Sequence, residues 1–177
     1  MGMRHLIDFG DLPREEWDAL YRRCSDIIDH PADYMDACRG KVMASLFYEP
    51  STRTNFSFQT AMLRVGGSVF GFADPKSTST AKGETLKDTI KMVSGYADVV
   101  VMRNPREGAA KAASLYSDVP VINAGDGGHM HPTQTMADLT TITRLHGGVD
   151  GLSVGLCGDL KNGRTVHSLI KAMAKFR

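Results

Sequence analysis

Hydroxyl side chains and arginines gather in this chain just after short apolar runs, where a strand would hand over to a helix. The first such turn is Glu49-Pro-Ser51-Thr52-Arg53-Thr54-Asn55. Three hydroxyls and a guanidinium there meet the free N–H groups and positive dipole end of a helix, which suits a phosphate-like anion. The guanidinium adds two-point geometry. An ordinary capped helix start would also favour Ser and Thr, but Arg53 in a first turn opposes the dipole, and this weighs toward the anion. A second arginine, Arg103, follows the run ending at Met102; alone it would read as a surface residue. The stretch Ala124-Gly-Asp-Gly-Gly-His129-Met-His131-Pro-Thr-Gln134 combines glycines, which let backbone approach a ligand, with His131 and Gln134 near a helix start. Both could donate to a carbonyl or amide, and a structural loop histidine is an equally open reading of His131. His129 and His131 lack the carboxylate or thiolate company a metal site needs, so no metal is expected.

Two further turns carry polar groups. Asp74–Glu84, which includes Ser77, Thr78, Ser79, Thr80 and Lys82, is long and polar, a lid or a plain surface loop. Gly158-Asp-Leu-Lys-Asn-Gly163-Arg164-Thr165 spaces its glycines like a P-loop, but Arg164 stands where that motif needs Lys. No downstream strand follows to bring a magnesium carboxylate, so nucleotide hydrolysis is disfavoured.

The elements that must position these turns alternate. A helix is expected from Trp17, Leu20, Tyr21, Cys24, Ile27 and Ile28 at helical spacing after Asp11 and Pro13. Strands are expected at 41–48, 68–72, 98–102, 120–123 and 152–157, with amphipathic helices around Leu86–Ala97 and Met136–Leu145. The short apolar strands suit burial on both faces of a parallel sheet. The expected fold is α/β: an open parallel sheet with helices on both faces. A boundary is expected at the glycine-rich 147–151, dividing a first domain (1–148) from the first βα unit of a second α/β domain (149–177), which is incomplete.

Composition narrows the classes. Of 177 residues, 42% are hydrophobic and 23% charged, which excludes disorder and low complexity. Lys+Arg 21 against Asp+Glu 20 leaves a net charge of +1, no footprint for nucleic acid or an anionic membrane, so any anion must be bound locally. No apolar run is long enough for a membrane helix, and charges at Arg4 and Asp8 interrupt any signal-peptide core. Three widely spaced cysteines (Cys24, Cys38, Cys157) read as reduced thiols of a cytoplasmic protein.

Taken jointly, the segments are far more specific. Phe47-Tyr-Glu-Pro-Ser-Thr-Arg-Thr54, Lys82-Gly-Glu-Thr-Leu-Lys-Asp88, Val101-Met-Arg103, Asn123-Ala-Gly-Asp-Gly127, His131-Pro-Thr-Gln134 and Gly158-Asp-Leu-Lys-Asn-Gly-Arg-Thr-Val-His-Ser168 stand in the order seen in aspartate carbamoyltransferase catalytic chains, and the chain resembles them throughout. The resemblance implies carbamoyl transfer from carbamoyl phosphate to L-aspartate, a step of pyrimidine synthesis. It also implies no cofactor, a homotrimer with sites between subunits, and leaves open a regulatory chain. Ser51, Thr52, Arg53 and Thr54 would hold the phosphate. Arg103 and His131, with Thr54, would polarise the carbonyl, and Gln134 would hold the carbamoyl amine. Lys82 would reach a neighbouring subunit's site, Arg164 would bind an aspartate carboxylate, and Glu49 would orient arginines, including Arg164. Asn55 departs from a position where arginine is common, and the chain stops early in the aspartate domain. Ornithine carbamoyltransferases share the Ser-Thr-Arg-Thr and His-Pro-x-Gln turns, but a cationic Arg164 suits a dicarboxylate better than ornithine's ammonium. A non-catalytic carbamoyl-phosphate-binding fragment is the remaining alternative.

Overall fold

The computed structural model describes residues 3–128, 130–161 and 163–177, with Ser77 and Arg164 described by their backbone only. The histidine pair considered for a metal includes His129, which lies outside the described residues. Four strands, β1 (Val42–Phe47), β2 (Ser68–Phe72), β3 (Val99–Asn104) and β4 (Val121–Asp126), form one parallel sheet in the order β2-β1-β3-β4. Among the described residues, six α-helices accompany them: α1 (Arg14–Asp29), α2 (Thr52–Arg64), α3 (Leu86–Ser94), α4 (Ala109–Tyr116), α5 (Pro132–His146) and α6 (Arg164–Met173). The parallel α/β architecture is the one expected from the alternation of runs.

Side chains on a strand alternate between faces, and here both faces are apolar. Ala44, Leu46, Val100 and Met102 pack with Ile90 and Val93 of α3 and Ala110 and Ala113 of α4. Met43, Phe47 and Val101 pack with Phe58 and Met62 of α2. Each large side chain so buried contributes about 1.5–3 kcal/mol, which fixes the strands that carry the site. A third cluster joins Phe9, Leu12, Trp17, Leu139, Val149 and Ala172, drawing the N-terminal segment, α1, α5 and α6 together.

The order of strands reverses direction between β1 and β3. The chain leaves β1 for α2 and leaves β3 for α4, which cover opposite faces. Such a reversal opens a crevice at the carboxyl ends of the strands.

Two expectations need correction, on β2 and on residues 152–157. β2 is an edge strand, with Ser68, Phe70 and Gly71 exposed, because only β1 pairs with it. Residues 152–157 form no strand; 152–155 are exposed, because a strand needs a partner and no ladder from β1–β4 reaches them. The polar stretch 74–84 is ordered locally into two 3-10 turns, Pro75–Ser77 and Ser79–Lys82. Asp74 and Thr78 cap them by accepting from the N–H groups of Lys76 and Thr80.

Candidate functional site

The turn after β1 delivers the hydroxyls to the start of α2. Ser51 occupies the N-cap position, yet its side chain makes no capping hydrogen bond. The first-turn N–H groups are therefore not consumed by the Ser51 hydroxyl, unlike those of an ordinary capped helix. Thr52 and Arg53 are exposed and Ser51 and Thr54 half-buried. The helix is seated from below: buried Asn55 accepts from Ser45 Oγ of β1 at 2.8 Å and from Gln59 Nε2 at 2.7 Å. The departure at Asn55 is thus absorbed by an uncharged hydrogen-bonded pair of contacts.

Arg103, next to last in β3, sits at an irregularity. Met102 pairs with Asn123 and Asn104 with Asp126, so Ala124 and Gly125 stand opposite Arg103 alone. Bulges of this kind re-aim a side chain. Arg103 Nε donates to Glu49 Oε1 at 2.6 Å, with the two side chains only 10% and 23% exposed. A charge-assisted bond so shielded from water fixes the guanidinium's plane. Burial pushes the neighbouring Tyr48 phenol up, and its N–H donates to the Arg103 carbonyl at 2.8 Å.

His131 is buried at the N-cap position of α5. Gly125, with φ of 122°, marks where it meets Arg103. A Cβ there would stand 3.5 Å from Arg103 Nη1 and 3.6 Å from His131 Cδ2, so both side chains converge on one glycine that leaves room between them. A groove of about 400 Å³ is lined by Thr54, Phe58, His131, Thr133 and Gln134. Gln134 is exposed at the groove, its amide donating to Asp138 at 2.8 Å.

The structure thus places Thr54, His131 and Gln134 along one groove and brings Arg103, paired with Glu49, to the Gly125 side of His131, while Ser51, Thr52 and Arg53 stand at the start of the helix that carries Thr54. Lys82 is exposed at the end of its 3-10 turn and is not among the residues lining that groove. Arg164 begins α6, and its side chain lies outside the described part. That helix nonetheless touches the site: the His131 N–H donates to the buried Ser168 Oγ at 3.1 Å. Sequence reasoning missed Ser45 and, though Asn123, Asp126 and Ser168 lie in the motifs it singled out, gave those three no role; all four are buried, and a polar residue ending an apolar strand run was the available signal for Asn123 and Asp126. Among the described residues, no three His, Cys, Asp or Glu side chains gather as metal ligands.

An anion at the start of α2 and a carbonyl oxygen facing Arg103 and His131 would occupy adjoining parts of one crevice. Donors fixed in advance around a developing negative charge stabilise it without reorganisation.

Comparison with known proteins bears on this arrangement. Residues 4–144 match the family model described as "Aspartate/ornithine carbamoyltransferase, carbamoyl-P binding domain". The aspartate carbamoyltransferase catalytic subunit of Clostridium perfringens is 57% identical over 174 residues, 98% of this chain and 57% of the relative. That of Clostridium acetobutylicum is 58% identical over 173 residues, covering 98% and 56%. Among solved structures, aspartate transcarbamoylase of Trypanosoma cruzi in complex with carbamoyl phosphate and aspartate superposes with a TM-score of 0.92 at 40% identity, covering 98% of this chain and 55% of that one. The catalytic subunit of the M. jannaschii enzyme gives 0.90 at 49%, covering 99% and 58%. The chain thus spans a little over half the length of the relatives it matches.

Proposed function

The chain belongs to the aspartate/ornithine carbamoyltransferase family, and from that premise we propose that its crevice binds carbamoyl phosphate for transfer of the carbamoyl group to L-aspartate. The observation that carries this reading is the convergence of Arg103 and His131 on Gly125, beside a helix start whose Ser51 does no capping. Catalytic subunits of aspartate carbamoyltransferase at 56–58% identity support aspartate over ornithine as the acceptor.

In the proposed reaction Ser51, Thr52, Arg53 and Thr54 hold the phosphate. Thr54, Arg103 and His131 donate to the carbonyl oxygen, and Gln134 holds the carbamoyl amine. The amine nitrogen of aspartate attacks the carbonyl carbon, and charge builds on the oxygen facing those donors. The C–O bond to phosphate then breaks, the amine gives up a proton to the departing phosphate, and N-carbamoyl-L-aspartate remains. Positioning two reactants supplies about 7–11 kcal/mol of such a barrier where closure is complete. Glu49 holds the Arg103 guanidinium in plane.

Residues 1–148 would be the carbamoyl-phosphate domain and 149–177 the start of the aspartate domain, contributing Arg164 to the aspartate carboxylate. Lys82, exposed and away from its own groove, would act in a neighbouring subunit of a homotrimer. A cytoplasmic setting suits its three free cysteines. The 177-residue chain by itself would bind carbamoyl phosphate and turn over little.

Calorimetric titration tests the binding step. Arg53→Ala should weaken carbamoyl phosphate by about 2–5 kcal/mol, the worth of a desolvated charge pair, with unchanged circular dichroism. Less than a threefold change would overturn the assignment.

A further inference from the structure

The carboxylate of Asp126, at the end of β4, is only 2% exposed and is not among the residues lining the groove. Among the described residues, donors from three places converge on it. Its Oδ2 accepts from the Gly108 N–H at 3.0 Å, and its Oδ1 accepts from the Met130 N–H at 3.0 Å and from Asn123 Nδ2 at 3.3 Å. Gly108 closes the loop that follows Arg103, and Met130 immediately precedes His131. The same two loops are joined by backbone, Gly127 N–H donating to the Asn104 carbonyl at 2.9 Å, and the second loop is closed on β4 by the Asp126 N–H donating to the Met130 carbonyl at 3.3 Å. Gly127, with φ of 57°, allows that approach, since a Cβ there would come within 2.8 Å of the Pro105 carbonyl. Asn123, fully buried, holds the assembly to the N-terminal segment through the Ile7 carbonyl and accepts from the Gly125 N–H.

We infer that Asp126 is the positioning residue that sets the spacing between Arg103 and His131, and hence the fit of the carbamoyl carbonyl; this rests on the reading of the crevice given above. A carboxylate can only accept, and here its two oxygens serve two different loops. An amide in its place keeps one acceptor and turns an NH2 toward one of the two loop N–H groups. That donor is left facing a donor, and its loop is displaced. The phosphate cradle at the start of α2 lies on another turn and is untouched by this change. Asp126 therefore acts on the carbamoyl half of the ligand and not on the phosphate half.

Two titrations separate these halves: inorganic phosphate and carbamoyl phosphate, each into the wild-type chain and into Asp126→Asn. The expected result is phosphate affinity within about twofold of wild type, while the preference for carbamoyl phosphate over phosphate falls about tenfold, or about 1.4 kcal/mol, within the cost of one such mismatch. An unchanged preference, or an equal loss for both ligands, overturns the inference. Failure of the wild-type chain to bind either ligand overturns instead the reading of the crevice on which the inference rests. If Asp126→Asn does not fold, amide exchange in the wild-type chain decides: Gly108 and Met130 N–H groups should be protected like strand amides, and exchange at the rate of open loops would refute the arrangement.

Discussion

At the scale of single residues the account turns on Glu49 and Arg103. Substituting Glu49→Gln leaves a mostly buried guanidinium with a weaker acceptor. The lost charge-assisted bond is worth about 1.5–3 kcal/mol. The expected outcome is a lower melting temperature and carbamoyl phosphate binding weakened about tenfold, with phosphate binding changed less; calorimetry and thermal unfolding check both. Sequence inspection found both residues, and the resemblance had Glu49 orient arginines with Arg164 the one named; the pairing with Arg103 across 54 positions came from the structure, because composition and spacing say nothing of which long-range partners meet. The same limit hid Ser45 beneath Asn55. His5 makes a second test. Its Nδ1 accepts the Val121 N–H at 3.1 Å, and burial first, then Lys111, lowers its pKa below the ordinary 6.5. A depressed histidine pKa means the unfolded chain binds more protons. Stability should therefore be fully present above pH 6.5 and decline as pH falls below it. His5→Gln should flatten that decline in unfolding measured between pH 7 and 5; an unchanged slope would show the contact to be inert.

At the scale of elements, strands β1, β3 and β4 and helices α1, α3 and α5 were legible because apolar runs and helical spacing report burial directly. The run 152–157 misled for the same reason: its composition is that of a buried strand, but pairing depends on what lies beside it. Nor does spacing reveal how α6 docks. Lys175 Nζ donates to the carbonyls of Phe9, Gly10 and Leu12, and Asp150 accepts from Arg14 at 3.2 and 2.7 Å and from the Arg177 N–H at 2.7 Å. Hydrogen bonding from Arg14 first, then from Arg177, holds the Asp150 carboxyl at about 2. A depressed carboxyl pKa contributes stability above its ordinary value of 3.8, lost as pH falls through about 2. Asp150→Asn should therefore loosen the end of α6 at neutral pH, seen as faster amide exchange at Phe176 and Arg177 while β1 and β3 stay protected. Equal exchange in both proteins would count against this docking.

At the scale of the whole molecule, the chain spans a little over half the length of the relatives it matches, and the proposed anion crevice lies within that span. The site's pieces come from the ends of three strands and the starts of two helices, so the fold itself brings distant motifs together; this is why those motifs were informative as a set and weak singly. On the proposed function, carbamoyl-aspartate formation by these 177 residues alone should be slower by orders of magnitude than by a full-length relative, since they span just over half its length and orientation and exclusion of water contribute much of such a barrier. A product assay within tenfold of such a relative would refute that. The most direct test of the central claim is a crystal of the chain soaked with carbamoyl phosphate. The phosphate should lie at the start of α2, within hydrogen-bond distance of the Thr52–Thr54 segment, with the carbonyl oxygen between Arg103 and His131 over Gly125. A ligand bound anywhere else, or a phosphate seated there with its carbonyl turned away from both side chains, would contradict the account.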